Sequence, residues 1–537
     1  MSDRSSNKEP QSSFDHVLTR SDLVRRALAG GTALSLGGLA GLADEAWAAT
    51  PKPTRGGQLR VGAVGGGSKE SLDPNVGFNE SDVMRHRALF EGLVEFGKKG
   101  RIVNQLAREI APNGDASVWT IRLRPGVVFH DGKPFTADDV IYSLKYMLDP
   151  TNKSASLTLL QPVLDPSGIE RVDSGTVRLR LKQSNSLLPQ VLAERTMKMF
   201  PSGATGRALD SNPVGTGPFK FQSWTRGERS LFVRNGNWSA RGAFGPAYVN
   251  ELLVLSITEA TSRFNALLGG QLDIAADVGA SLGRVAQRNS RLRVLSTPSA
   301  SFTAFYMALN AAPFNDVRVR QAFRLMIDRP QIIKSVLAGR GKLGNDLSSW
   351  FDPNYASDLP QRPHDPEKAK ALLKRAGRAG LHLSLATSDA AQAMLESATL
   401  FKEQAKTAGV RIDLQKVASD QYYNVYPRTP WGQTNWGGRP FASMVSYAFL
   451  EGASFNETHW VRPKFTKLFL TALRTSNAAK RKALLVDAQH LLWDDGGYII
   501  WGFPNTIDAM TKKVKGLVGS PLRPCNFYDV SSVYLLK

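Results

Sequence analysis

The sequence predicts an α/β protein with a partly parallel sheet, and three observations carry that prediction. Between Leu381 and Val417 the alternating stretch LHLSLAT precedes a helical stretch, AMLESATLFKEQAKTAG, and a second alternating stretch, VRIDLQKV, follows. A strand–helix–strand order of this kind sets its two strands parallel. Two other segments, IDRPQIIKSVLAG and HDPEKAKALLKRAG, share one helix grammar: Asp328 and Asp365 at the start, Pro330 and Pro366 in the first turn, Gly339 and Gly377 at the end. Val118 to Leu123 alternates apolar and polar residues, as a strand buried on one face must.

Taken in chain order, GGQLRVGAVGG (Gly56 to Gly66) alternates small and apolar residues and opens a sheet. After Val118–Leu123, Pro125-Gly126 turns the chain, and Val127 to Phe129 is expected as a second short strand before the Asp131-Gly132 turn. Thr136 and Asp139 have the spacing of a capping box, and Val140, Leu144 and Met147 give the helix behind it an apolar stripe. No internal repeat and no long low-complexity tract follows.

Length and composition set the outer limits. The 537 residues allow two to four domains at about 150 residues each. A hydrophobic content of 42% with 21% charged residues is ordinary for a globular chain with a large core. Past the first fifty residues no apolar run reaches the ~18 residues of a membrane span.

The N-terminus reads as an export signal. Met1 to Arg26 is polar, Ala27 to Leu42 is small and apolar, and Ala46-Trp47-Ala48 is a small-x-small cleavage pattern, so residues 1–48 are expected to be removed. The glycine-rich, weakly hydrophobic core is similar to twin-arginine signals. Arg25-Arg26 are adjacent but lack the usual preceding Ser or Thr, and TRSDLV has the usual surroundings with Ser21 in the second arginine's place. The leader holds five Lys/Arg and six Asp/Glu, so its removal takes the formal charge from +21 to +22. The single cysteine, Cys525, excludes an intrachain disulfide. With no cysteine at the cleavage site there is no lipid attachment point, which makes the expected mature protein free in solution in a Gram-negative periplasm. Its Lys and Arg residues are spread along the chain without a dense run or a zinc-finger spacing. Nucleic acid is therefore not the expected partner, and the charge suits solubility or attraction of an anionic solute.

Catalytic constellations are absent. The chain holds no HExxH and no complete phosphate-binding loop; GRGKL (Gly339 to Leu343) lacks both the spacing and the Ser/Thr. No two of the seven histidines stand at metal-ligand spacing. His130-Asp131 reads as a turn pair, and Asp138-Asp139 as acidic residues at the positive end of a helix. Asp494-Asp495 reads as a helix-ending loop. Neither a reaction nor a cofactor nor a metal is expected.

Several motifs together carry a resemblance: GGQLRVG, SLDPN, LFEGLVEF, WTIRLRPGVVFHDGKPFTADDVIYSL, NPVGTGPFKFQSW, NDVRVRQAFRLMIDR and DPEKAKALLKRAG, in this order from Gly56 onward. In order and spacing the chain resembles the peptide/opine/nickel-type (family 5) solute-binding proteins of ABC importers. The resemblance implies a two-lobed periplasmic-binding-protein-like α/β fold of type II with an extra inserted α/β domain. Lobe I is expected from residues 50–92, 213–304 and 506–537, the inserted domain from 93–212, and lobe II from 305–505. The lobe crossovers fall near SFTAFYMALN (Ser301 to Asn310) and IIWGFPNTID (Ile499 to Asp508). It also implies a monomer that captures a small-molecule or peptide ligand and delivers it to an ABC permease in the inner membrane.

One stretch departs from the family pattern. In TNWGGRPFASM (Thr434 to Met444) peptide-binding members carry, shortly after the tryptophan, an aspartate that pairs with a peptide's amino terminus; Trp436 matches, but Arg439 or Gly438 occupies the acid's place. The reversed charge suits a carboxylate, which a guanidinium holds by a two-point fork. Trp436 offers a flat face, Gly437 and Gly438 permit close backbone approach, and Asn435 can bond a polar group. A bracing pair between Arg439 and Glu451 or Glu457 is the competing reading. Arg428 and, from GFNESDV, Phe78 and Asn79 complete the candidate ligand contacts. Trp350, Tyr447 and Trp460 are aromatics expected in packing more than in stacking. Two alternatives to transport stand beside this reading: an exported hydrolase acting on a peptide or sugar conjugate, and a peptide-binding receptor without transport.

Overall fold

Three sheets organise the chain. The computed structural model describes residues 52–77, 79–425, 428–453 and 455–536, so the expected export signal and Phe78 lie outside the described residues. Pro53–Lys537 packs as one unit.

The largest sheet has eight strands, in the order Leu292–Pro298, Gly502–Thr511, Ile274–Ala275, Gln58–Ala63, Glu251–Ser256, Arg229–Arg234 and Phe219–Thr225, with Gly341–Leu343 paired to the side of Gly502–Thr511. Gln58–Ala63 is its parallel centre, flanked by Glu251–Ser256 and Ile274–Ala275. A second sheet of five strands runs Arg411–Lys416, His382–Thr387, Trp431–Trp436, Phe302–Met307 and Tyr498–Ile499. Here the expected β-α-β unit is present: His382–Thr387 pairs in parallel with Arg411–Lys416, and the helix Met394–Ala405 connects them. A third, antiparallel sheet of four strands is made by Ala107–Pro112, Val118–Leu123, Thr176–Leu181 and Leu164–Asp173. The chain passes between the two larger sheets over very short links, residues 299–301 and residues 500–501. No described helix is long and apolar enough to cross a membrane.

The local grammar explains the helix starts. Asp328 accepts from Gln331 N at 2.9 Å and Asp365 from Lys368 N at 2.8 Å, each supplying an acceptor for one orphan N–H of the first turn. Thr136 N donates to the Asp139 carboxylate at 2.8 Å, the reciprocal half of the capping box before Ala137–Leu148. Val127–Phe129 forms no strand: only a single bridge, Val128 to Pro134, forms there. The Asp131-Gly132 turn closes too soon for a ladder, with Phe129 N already bonded to Lys133 O at 2.8 Å.

One helix, Glu80–Leu89, is held by buried charge. Arg85 is fully buried between Glu70 at 3.0 Å and Asp82 at 2.8 Å, and it donates to Ser230 and Ser256 of the large sheet at 3.0 and 2.6 Å. Glycines from the NPVGTGPF motif close the other side. A Cβ on Gly215 would overlap the Leu89 carbonyl oxygen and one on Gly217 the Ala88 carbonyl oxygen, so no side chain fits against this helix end. The motif thereby fixes the C-terminal end of this helix. Replacing Arg85 by methionine leaves two buried carboxylates without their cation, and the expected loss is roughly 3–5 kcal/mol of unfolding free energy, read from urea denaturation near neutral pH.

Candidate ligand-binding site

Two adjoining cavities lie where the two larger sheets face each other. The first, about 280 Å³, is walled by Glu80, Asp277, Arg523 and Tyr528 from one side and by Phe302, Thr303, Gln392 and Asn435 from the other. The second, about 150 Å³, is lined by Glu194, Arg195, Arg439, Tyr447, Arg523 and Phe527, among others, and shares Leu522 and Arg523 with the first.

The second cavity contains the arginine that the sequence singles out. Arg439 lies with its guanidinium carbon 4.9 Å from the ring centroids of both Trp436 and Tyr447, within reach of a cation–π attraction. Its hydrogen bond goes from Nε to Gly437 O at 3.3 Å. Neither of the two expected bracing carboxylates holds it. Glu457 instead accepts from the indole of Trp436 at 3.2 Å, and the acid that acts on Arg439 through space is Glu194. Three arginines and one carboxylate line this cavity. Burial lowers the pKa of Arg439, with Arg523 pushing it the same way against the pull of Glu194. Burial likewise raises Glu194 despite Arg439 beside it. Arg523 moves in the opposite direction, raised chiefly by Glu80, with which it pairs at 2.9 Å. The cavity therefore holds an excess of cationic charge away from bulk water, a setting that favours an anion.

The other sequence candidates divide. Asn435 is on the wall of the 280 Å³ cavity, exposed toward it. Trp436, only 6% exposed, is not among the lining residues of either cavity; its ring is the platform under Arg439 and stacks edge-on with Phe455 at 5.9 Å. The two glycines serve the protein's own chain. An added Cβ on Gly437 would lie 3.2 Å from the Arg523 guanidinium, and one on Gly438 would lie 3.0 Å from Ala300 Cβ and 3.2 Å from Pro521 O. Arg428 is exposed and lines neither cavity. Asn79 precedes the helix Glu80–Leu89, its N–H bonded to Asp82 at 3.3 Å. His130 is part of a turn, its ring bonded to Gly217 O at 3.1 Å and Gly215 N at 3.2 Å. Asp495 accepts from Arg320, Arg462 and Trp460.

Glu80, Glu194, Arg195, Asp277, Arg523 and Tyr528 are cavity residues that the sequence did not single out. Arg523 precedes, and Tyr528 ends, an unusual turn in which Cys525, Asn526, Phe527 and Tyr528 all have φ between 48° and 60°. This is a left-handed helical turn built without glycine, costing roughly 1–2 kcal/mol per residue. Asp508 anchors it, accepting from Cys525 N at 2.9 Å through one oxygen and from Asp277 N at 3.0 Å through the other. Asp277 itself has φ 42°. Its carboxyl pKa is pushed up to about 6 by burial, with the neighbouring Asp508 adding to the effect.

A charged cleft walled by two sheets of an α/β fold is the arrangement of a binding protein. The profile of the bacterial extracellular solute-binding proteins, family 5 (middle region), matches residues 101–456, and the chain belongs to that family. The glutathione-binding protein GsiB of Pectobacterium atrosepticum is 26% identical over 489 residues, covering 86% of this chain and 92% of that protein. Among solved structures, the ABC transporter substrate-binding protein CtaP of Listeria monocytogenes superposes with a TM-score of 0.79 at 21% identity, over 90% of this chain and 100% of the other. The periplasmic binding protein DppA of Helicobacter pylori, in complex with the peptide STSA, gives 0.72 at 21% identity, over 90% and 99%. Proteins of this family are receptors for transport, and the chain is a solute-binding protein, not an enzyme.

Asp277 makes the cost of the site measurable. A carboxyl whose folded pKa is raised contributes stability that is present below its unfolded pKa, near 3.8, and is lost as pH rises through about 6. Asp277→Asn, which imitates the neutral form, is expected to stabilise the ligand-free protein by about 2–3 kcal/mol at pH 8 and by almost nothing below pH 4, measured by thermal or urea unfolding across that range.

Proposed function

We propose that the protein captures a peptide-like or carboxylated solute between its lobes in the periplasm and delivers it to an ABC permease of the inner membrane. The observation that carries this reading is Arg439: a guanidinium on the wall of a cavity lined by three arginines and one carboxylate, at the place where relatives that bind peptides carry an acid. A carboxylate entering there meets up to two parallel N–H donors from each guanidinium and relieves the uncompensated charge. Asn435 contacts the same ligand from the neighbouring cavity, and Trp436 sets the orientation of Arg439 from below.

On this reading lobe I comprises residues 50–92, 213–304 and 506–537, the inserted domain 93–212 and lobe II 305–505, and the mature protein works as a monomer. The arrangement of the three sheets supports the division, since the chain crosses between the two larger ones at 299–301 and 500–501. Export proceeds through the leader ending at Ala48, by the twin-arginine route that its glycine-rich core resembles. The chain's similarity to the glutathione-binding protein GsiB makes glutathione and short peptides the first ligands to try.

Calorimetric titration with glutathione and with a series of short peptides tests the assignment. Arg439→Ala is expected to weaken the tightest of them by about 10–100-fold, while Arg439→Lys, which keeps the charge but not the fork, recovers part of that loss. Unchanged affinity in the alanine variant removes Arg439 from the site. Edman sequencing of the protein released from the periplasm should begin at Ala49.

A further inference from the structure

The 280 Å³ cavity next to the arginine site has charges of the opposite sign, and its groups are incompletely bonded. Glu80 and Asp277 both line it. Arg523, the cation on the same wall, pairs with Glu80 Oε1 at 2.9 Å. That leaves Glu80 Oε2 without a hydrogen-bond partner although the atom is out of contact with solvent. Tyr528 is 1% exposed and its hydroxyl also has no partner. The Asp277 side chain accepts one hydrogen bond, from Ile507 N at 3.3 Å. On the facing wall Thr303, Gln392 and Asn435 bring neutral polar groups and no charge.

We propose that this cavity is an ammonium subsite, formed by Asp277, Glu80 Oε2 and the Tyr528 hydroxyl, so that the ligand is a small zwitterionic peptide with a free amine in one cavity and its carboxylate in the other. An alkylammonium has three N–H donors and no acceptor, and three oxygen acceptors on one wall match it. Buried polar atoms left unbonded are costly, and a group that remains so in a folded protein is accounted for when a ligand completes it. The strained backbone points the same way, because Asp277 and Tyr528 are both held at positive φ by bonds to or near Asp508 rather than by a favourable local conformation. Arg523, common to both cavities, stands between the two ends and fixes their order. The polarity is the reverse of an acid on lobe II holding the amine: here the acids are on the 50–92 and 213–304 segments and the arginine is on 305–505.

The proposal rests on the carboxylate reading of Arg439 for the ligand's other end, and the test separates the two. The purified protein is equilibrated with a mixture of glutathione and di- and tripeptides, each present as the free amine, the N-acetyl derivative and the C-terminal amide, and the retained species are identified by native mass spectrometry. Free-amine peptides should be retained, and the N-acetyl derivatives should bind about 30-fold or more weakly, the scale for losing a buried charged hydrogen bond. Asp277→Asn and Glu80→Gln should each reduce that preference to a few-fold. Equal retention of free and acetylated peptides, retention of no free-amine peptide, or a preference unchanged in both variants overturns the ammonium subsite. A free-amine preference combined with indifference to C-terminal amidation leaves the subsite standing and defeats the carboxylate reading instead.

Discussion

The arginine-bearing cavity is organised around guanidinium groups taken out of water, with one carboxylate among its lining residues. Desolvating an ion costs several kcal/mol even after relaxation, and a single partner rarely offsets it unless the geometry is very good. Arg439 and Arg195 both have pKa values lowered by burial, and Arg523 lowers both further by like-charge repulsion. Glu194, the one acid among that cavity's lining residues, has its own pKa pushed upward by burial. Aromatic faces supply part of the compensation: Arg439 is sandwiched against Trp436 and Tyr447. That arrangement stabilises the cation without using its N–H donors, which stay available for a ligand.

Holding such groups in place requires a firm scaffold, and buried ion pairs supply part of it. Asp346 receives Arg329 at 2.6 Å and Arg362 at 2.7 Å. Arg324 spends its donors on carbonyls at the end of the helix Ala478–Asp495, where the helix dipole is negative. Arg85 is bonded on every side. Beside these paired clusters, the cleft combines two unbonded buried atoms, Glu80 Oε2 and the Tyr528 hydroxyl, with a run of four consecutive residues at positive φ. Asp508 is the link that makes the strain tolerable. It belongs to the strand Gly502–Thr511, the centre of the largest sheet's return path from the second lobe, and its two oxygens hold the left-handed turn and Asp277 at once.

Much of the fold could be read from the sequence because it is written locally. Asp328, Asp365 and Thr136 announce helix starts, and LHLSLAT with VRIDLQKV announces a parallel pair, because caps and periodicity depend on residues a few positions apart. Val127–Phe129 was misread for the complementary reason: its alternation is right, but the turn chemistry of Asp131-Gly132 leaves room for one bridge. Of the residues lining the two cavities, the sequence pointed to Asn435, Gly438, Arg439 and Tyr447. Asp277, Glu80, Arg523 and Tyr528 come from separate stretches, and no spacing rule connects them. In LRPCNFYD the absence of glycine argues against a left-handed turn, so the local rule points away from the very segment that presents Arg523 and Tyr528. Local inconsistency of this kind is where functional geometry overrides propensity.

The same charges bear on how a two-lobed receptor distinguishes full from empty. A ligand shifts an open–closed equilibrium only by its differential affinity for the two states. Arg439 is carried by the five-stranded-sheet side, on the segment after Trp431–Trp436, while Arg523 is carried by the C-terminal segment beside the larger sheet. Drawing the two together is opposed by their mutual repulsion, which Glu80, paired with Arg523, and Glu194, acting on Arg439, offset in part. An anion seated between them contributes its contacts to both and also removes the repulsion, so its effect on the closed state exceeds the sum of its hydrogen bonds. Gly437 and Gly438 matter at this point. By letting the Arg523 guanidinium and Pro521 approach the backbone on which Arg439 sits, they set the separation at which that repulsion acts. The like charges of Arg439 and Arg523, one on each side of the cleft, are therefore the feature that makes its closure depend on a ligand.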